Sequence, residues 1–252
     1  MNQTKAKIVC FWACVLFFPL LLFSCMGDKG NTVEMGTQAG VVESVASPVI
    51  LTQTGWRITS PSFSGMDLEE GDCCLVGYKI DLNEVNGSGP YEIELMRYDS
   101  VPQWNLQTVL QDTMNIMDGE QVLDLSMDEC LYINGRLFLF IQRQHDPNAR
   151  DIYSLSYNSE TPAEEDSTGI RIYSLYLRTA SLDTLSSSAT RMTMPNAFNI
   201  ESFVSESGGR EQAAGNTALN FKIKFPTSLP HDTVGFRWDE TDVWTLQLLN
   251  NE

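Results

Sequence analysis

The residue with the most definite chemistry in this chain is Cys25, which closes the run Leu22-Phe23-Ser24-Cys25. A small residue directly before a cysteine suits a signal peptidase that cuts there and leaves a thiol to be joined to diacylglycerol as a thioether. The preceding segment fits that reading: Lys5 and Lys7 form a basic start, and Ile8 through Phe23 form an uncharged apolar run broken by Pro19. A membrane-crossing helix needs about 20 apolar residues, and this run is shorter. Each buried methylene of an acyl chain contributes about 0.8 kcal/mol, so two or three chains at Cys25, including one on the new amine, give effectively permanent attachment. Residues 1–24 are therefore read as a lipoprotein signal peptide and Cys25 as the lipidation site. The expected destination is the outer membrane, with Asp28 and Lys29 leaving its face open.

Other reactive side chains are few. His145 and His231 are the two histidines, each beside an aspartate (Asp146, Asp232) in a loop-like setting, with no second ligand at metal spacing. No strand-turn-helix elbow presents a serine nucleophile, and no glycine-rich phosphate loop opens a helix. Nothing singles out a carboxylate pair among 33 acids. No catalytic residue, metal or cofactor is expected. Once Cys10 and Cys14 leave with the signal and Cys25 is acylated, Cys73, Cys74 and Cys130 remain. Neighbours in a strand point to opposite faces, which strains a Cys73–Cys74 bridge, so the open alternatives are a bridge from one of them to Cys130 or three buried thiols.

Five segments read aspartate, hydroxyl residue, then an aliphatic or threonine: Asp99-Ser100-Val101, Asp112-Thr113-Met114, Asp166-Ser167-Thr168, Asp183-Thr184-Leu185 and Asp232-Thr233-Val234. The pattern resembles the O-glycosylation acceptor of Bacteroidota envelope proteins, which makes Ser100, Thr113, Ser167, Thr184 and Thr233 candidate glycan sites on exposed loops or strand ends.

Removing residues 1–24 takes away two lysines and no acids, leaving 14 basic against 33 acidic residues and a formal charge of −19. Such a chain repels phosphate backbones and anionic head groups, so nucleic acid is excluded as an expected partner and membrane contact falls to the lipid.

The elements that must carry these residues are almost all strands. Residues 25–38 are polar and glycine-containing, as in a tether. From 39 to 103, short β-branched or aromatic runs (40–45, 49–52, 56–59, 73–80, 90–95) are parted by Ser47-Pro48, Thr54-Gly55 and Gly71-Asp72, which suits a small closed barrel of the OB type. Pro102 and Trp104 mark a junction. Residues 104–252 hold further strand-like runs at 122–125, 130–142, 152–157, 170–177, 218–225 and 243–249, enough for one two-layer β-sandwich. Leu137-Phe138-Leu139-Phe140-Ile141 is apolar at every position, as in a strand covered on both faces. In Asn220 through Phe225 the alternation places Lys222 and Lys224 toward water, and residues 159–168, with Glu164-Glu165-Asp166, read as an exposed mobile loop. Helices are nearly absent.

The order of a lipoprotein signal, a barrel unit with Leu68-Glu69-Glu70-Gly71-Asp72 and a sandwich with Leu137-Phe138-Leu139-Phe140 and Tyr176-Leu177-Arg178 resembles the NigD-like lipoproteins of Bacteroidota. The resemblance implies an N-terminal OB domain, a C-terminal β-sandwich and a link to bacteriocin immunity, and it transfers no catalytic residue. The expectation is an all-β, lipid-anchored envelope protein of non-enzymatic binding type, related to immunity, whose partner is an envelope protein or a glycan. The alternative is a carbohydrate-binding accessory lipoprotein stacking Trp56, Trp104, Trp238 or Trp244 on sugar. A third class, an enzyme built from scattered loop acids, ranks last.

Overall fold

The computed structural model describes residues 31–85, 87, 89–108, 120–125, 130–146, 148–183, 189–228 and 237–248. The signal segment, Cys25, Thr113, Thr184, His231 and Thr233 lie outside them. Among the described residues no helix is long and apolar enough to cross a membrane.

The N-terminal domain is built on β1 (Thr32–Ser44), β2 (Val49–Thr52), β3 (Arg57–Thr59), β4 (Cys73–Asp81), β5 (Tyr91–Glu92) and β6 (Glu94–Ser100). The strand order is β5-β3-β2-β1-β4-β6, and its two ends are halves of one segment parted at Ile93. The sheet therefore closes into a five-stranded barrel, which leaves no bare edge. Gly40 sits where the long β1 passes from β4 to β2, and a Cβ there would lie 2.6 Å from Ile50 Cγ2. Val42, Ile50, Ile58, Cys74, Val76, Tyr78 and Ile80 fill the barrel, with Phe63 contributed by a 3-10 turn, Pro61–Gly65.

Residues 32–38 are not tether. They begin β1 and pair with β4 through Thr32–Asp81, Glu34–Lys79 and Gln38–Val76. Ladder hydrogen bonds use the backbone, so this polar stretch carries no apolar signature. Buried Gln38 is satisfied by accepting from the Tyr78 hydroxyl at 3.3 Å.

The second domain is a sandwich. One sheet holds β7 (Gln103–Asn105), β9 (Asp124–Leu125), β10 (Leu131–Ile133), β11 (Arg136–His145) and β15 (Thr190–Asn199). The other holds β8 (Gln107–Thr108), β12 (Asp151–Tyr157), β13 (Glu164–Glu165), β14 (Arg171–Ser181), β16 (Ala218–Ser228), β17 (Arg237–Glu240) and β18 (Trp244–Gln247). Strand alternation turns Leu137, Leu139 and Ile141 into the sandwich core and Phe138 the other way, so β11 is covered on both faces as its sequence predicts. Phe138, Ile133 and Ala197 pack on Ala39, Val41, Cys73 and Val101 of the barrel. The connection across this seam is hydrogen-bonded, Val101 N donating to Cys73 O and Ala197 N to Pro102 O, each at 2.9 Å.

Among the described residues one α-helix, α1 (Glu201–Ala213), stands among the strands, as the near-absence of helices in the sequence leads one to expect. Its buried face is Phe203, Ser207, Gly208 and Glu211, and only the first is a large apolar residue. Phe203 meets Tyr157, Tyr173 and Phe221 edge to face, and Glu211 accepts from the Tyr173 hydroxyl at 2.7 Å. Tertiary contacts thus hold a segment whose glycines and serines disfavour helix.

The lysine face of β16 is also not open to water. Lys222 bonds Glu164 at 3.1 Å and Glu240 at 2.9 Å, Lys224 reaches Glu164 at 3.4 Å, and the two lysine side chains are only 13% and 20% exposed. Glu164 belongs to β13, within the segment expected as a mobile loop. That segment is ordered by Asp166, which accepts from Thr168 N, Thr168 Oγ1 and Ile170 N. The Lys222 hydrogen bond holds the Glu164 carboxyl below its ordinary range.

Candidate functional site

Beside the apolar seam the two domains leave a cleft of about 600 Å³. One wall belongs to the barrel. Arg57 on β3 grips Glu43 on β1 through two hydrogen bonds, at 2.7 and 3.0 Å. That hydrogen-bonded carboxylate raises the guanidinium pKa further. Next to this pair the turn Glu69-Glu70-Gly71-Asp72 presents Glu70 to solvent. Asp72 Oδ2 accepts from Glu69 N at 2.8 Å, and Asp72 N donates to Glu69 O at 3.0 Å, which fixes the turn.

The other wall comes from the sandwich. Asn134 and Gly135, at φ of 45° and 80°, make the two-residue turn between β10 and β11, the dipeptide such hairpins favour. Gly135 O accepts from Ile200 N at 2.9 Å and so places the start of α1 against the turn. A Cβ on Gly135 would lie 2.3 Å from Glu201 Cγ. Arg136, next in sequence, donates to Glu201 Oε1 from Nη1 at 3.0 Å, and its Nη2 lies 2.7 Å from where a Gly71 Cβ would be. Its Nε is buried without an acceptor. Val49 and Pro90 add apolar surface.

The cleft thus carries two guanidinium–carboxylate pairs, one on each domain, and a further carboxylate. Among the described residues Glu70 has no ion pair or side-chain hydrogen bond. This arrangement is suited to gripping a polar partner: its arginines are each engaged by a glutamate, and among the described residues no histidine, cysteine or aromatic side chain lines it.

The side chains singled out by sequence as candidates for chemistry fall elsewhere or outside the described residues. His145 Nδ1 lies 2.9 Å from Asp151 rather than pairing with its neighbour Asp146, and Asp151 also pairs with buried Arg143. Arg143 donates from Nε to the Tyr153 hydroxyl and from Nη1 to Gln121 Oε1 and Gln144 O, each at 2.9 Å, and it backs a smaller cavity of about 380 Å³. Cys74 enters the barrel core, Cys73 the seam and Cys130 the sandwich core, and all three are buried thiols. Among the described residues no group of three histidine, cysteine or acidic side chains is placed to hold a metal ion. Trp56, Trp104, Trp238 and Trp244 are half-buried against Tyr91, Tyr153, Tyr176 and Phe221 respectively, rather than standing as open platforms. Ser100 ends β6 and Ser167 lies in the Asp166 turn, both exposed.

The sequence marks residues 68–72 as a turn between strands but does not point to Glu70, Arg57, Arg136 or Glu201 as site residues. The Asn134-Gly135 hairpin signal was available to place Arg136 at a tip.

Residues 30–89 match the family described as lipoprotein OB domain. The N-terminal domain is an OB domain, and this match makes it similar to those of the lipoprotein family. Across nearly the whole chain the fold is similar to that of solved proteins. An uncharacterized protein from Parabacteroides merdae superposes with a TM-score of 0.72 at 17% identity, covering 86% of this chain and 100% of the other. A NigD-like immunity protein from Bacteroides caccae gives 0.51 at 9% identity, covering 87% and 97%. A protein of unknown function from Bacteroides vulgatus gives 0.52 at 15%, covering 87% and 92%. At these identities the likeness is one of fold, an OB domain followed by a β-sandwich. No curated protein sequence matches the chain.

Proposed function

We propose that this lipoprotein is a non-enzymatic binding protein of the outer membrane, anchored through acyl chains on Cys25, that holds an envelope protein partner in the cleft between its OB domain and its sandwich. The observation that carries the reading is the cleft itself: both domains build it, and its arginines are pre-positioned by glutamates, as in recognition sites held ready by side-chain pairs. A role in immunity is supported by the fold shared with the NigD-like immunity protein. A protein partner is favoured over a sugar because, among the described residues, no aromatic side chain lines the cleft. O-linked glycans on Ser100 and Ser167, and on Thr113, Thr184 and Thr233, belong to the same reading of an exported protein.

The test is fractionation and capture. The wild-type chain should sediment with outer membrane and co-purify one specific protein from its native envelope, whereas Cys25→Ala should be released into the soluble fraction. A wild-type chain that is soluble, or that captures glycan and no protein, contradicts the proposal.

A further inference from the structure

Resting on that reading, we infer that the cleft takes a basic segment of its protein partner, with a lysine or arginine side chain set against Glu70. Charge accounting comes first. Arg57 and Arg136 are each neutralised by a glutamate within their own domain, so the surplus charge of the lining is the carboxylate of Glu70. The whole chain carries a formal charge of −17, and a field of that sign draws cations toward a cleft of the same sign.

Size and chemistry then select a peptide rather than a lone cation. A cleft of about 600 Å³ lies within the range of ordinary ligand sites and far exceeds one ion. Val49 and Pro90 suit the methylene stem of a long basic side chain whose head stays with a carboxylate.

The probe is fluorescent decalysine titrated into the mature chain carrying Cys25→Ala, with decaglutamate as the opposite-charge control. Glu70→Gln should weaken decalysine binding about tenfold, the size of one lost charge-assisted contact. Glu165→Gln on β13, which changes net charge equally, should stay within twofold. Glu70 is exposed in a turn, and an unchanged thermal midpoint confirms that its variant folds. Equal weakening by both variants, no decalysine binding by the parent, or tighter binding of decaglutamate would each overturn the inference. If envelope capture still depends on the cleft when decalysine fails, the charge assignment falls and the proposed function stands; if capture does not depend on the cleft, both fall.

Discussion

Glu211 shows how single residues hold this molecule together. It is buried, accepts from the Tyr173 hydroxyl at 2.7 Å and from Asn216 Nδ2 at 2.6 Å, and pairs with Arg171 at 3.1 Å. Removing one partner of a buried, hydrogen-bonded set strands the others, so Glu211→Ala should cost about 3 kcal/mol in urea unfolding, and Glu211→Gln visibly less. The thiols give a second residue-scale prediction. Burial pushes Cys73 and Cys74 up to about 12 from an ordinary 9.0, so at pH 8 both stay protonated. Ellman's reagent should therefore find neither in the folded chain and both after unfolding. Since the folded value is the raised one, their contribution to stability is fully present below about pH 9 and is lost as pH climbs toward 12. At Gly135 a positive φ and the Glu201 side chain both oppose a Cβ, so Gly135→Ala should destabilise by about 1–2 kcal/mol and disorder one wall of the cleft.

Elements were legible where side chains alternate and illegible where backbone or distant residues decide. Val49 through Thr52 and Cys73 through Ile80 are β-branched or apolar runs bounded by turns, and they are β2 and most of β4. By contrast Thr32 to Gln38 joins β1 through backbone ladder pairing with Asp81 to Val76 of β4, which leaves no mark on composition. In β15, Pro195 suppresses the strand signal; it is tolerated because β7 pairs only with Ala197–Asn199 and leaves the Pro195 stretch unpaired on that side. In α1 a stripe of Phe203, Ser207, Gly208 and Glu211 buries one large apolar group, so no amphipathic period announces the helix. That makes Phe203 the anchor: Phe203→Ala should cost about 3–5 kcal/mol and release α1, seen as lost helical signal before global unfolding. The cleft was not legible as a site. Its acidic turn reads only as a link between strands, and Arg57, Arg136 and Glu201 meet it only because the seam sets one domain against the other.

At the scale of the whole molecule, the seam is the device that makes a site out of two domains. Phe138 is fully buried among Ala39, Val41, Cys73 and Val101, and hydrogen bonds on both sides of Pro102 fix the crossing. Phe138→Ala should therefore leave each domain folded while letting them part, read as a larger radius of gyration and new proteolysis near residues 101–106. Loss of envelope capture by that variant would follow from loss of the cleft. Strong negative charge adds long-range attraction for a basic partner, so capture should weaken as salt rises. The most direct measurement compares capture of envelope protein by the wild-type chain, by Glu70→Arg in the cleft and by Glu165→Arg on β13, two variants with equal change in charge. Loss of the specific partner with Glu70→Arg alone is the predicted result; equal capture by all three chains would contradict the assignment of the cleft as the binding site.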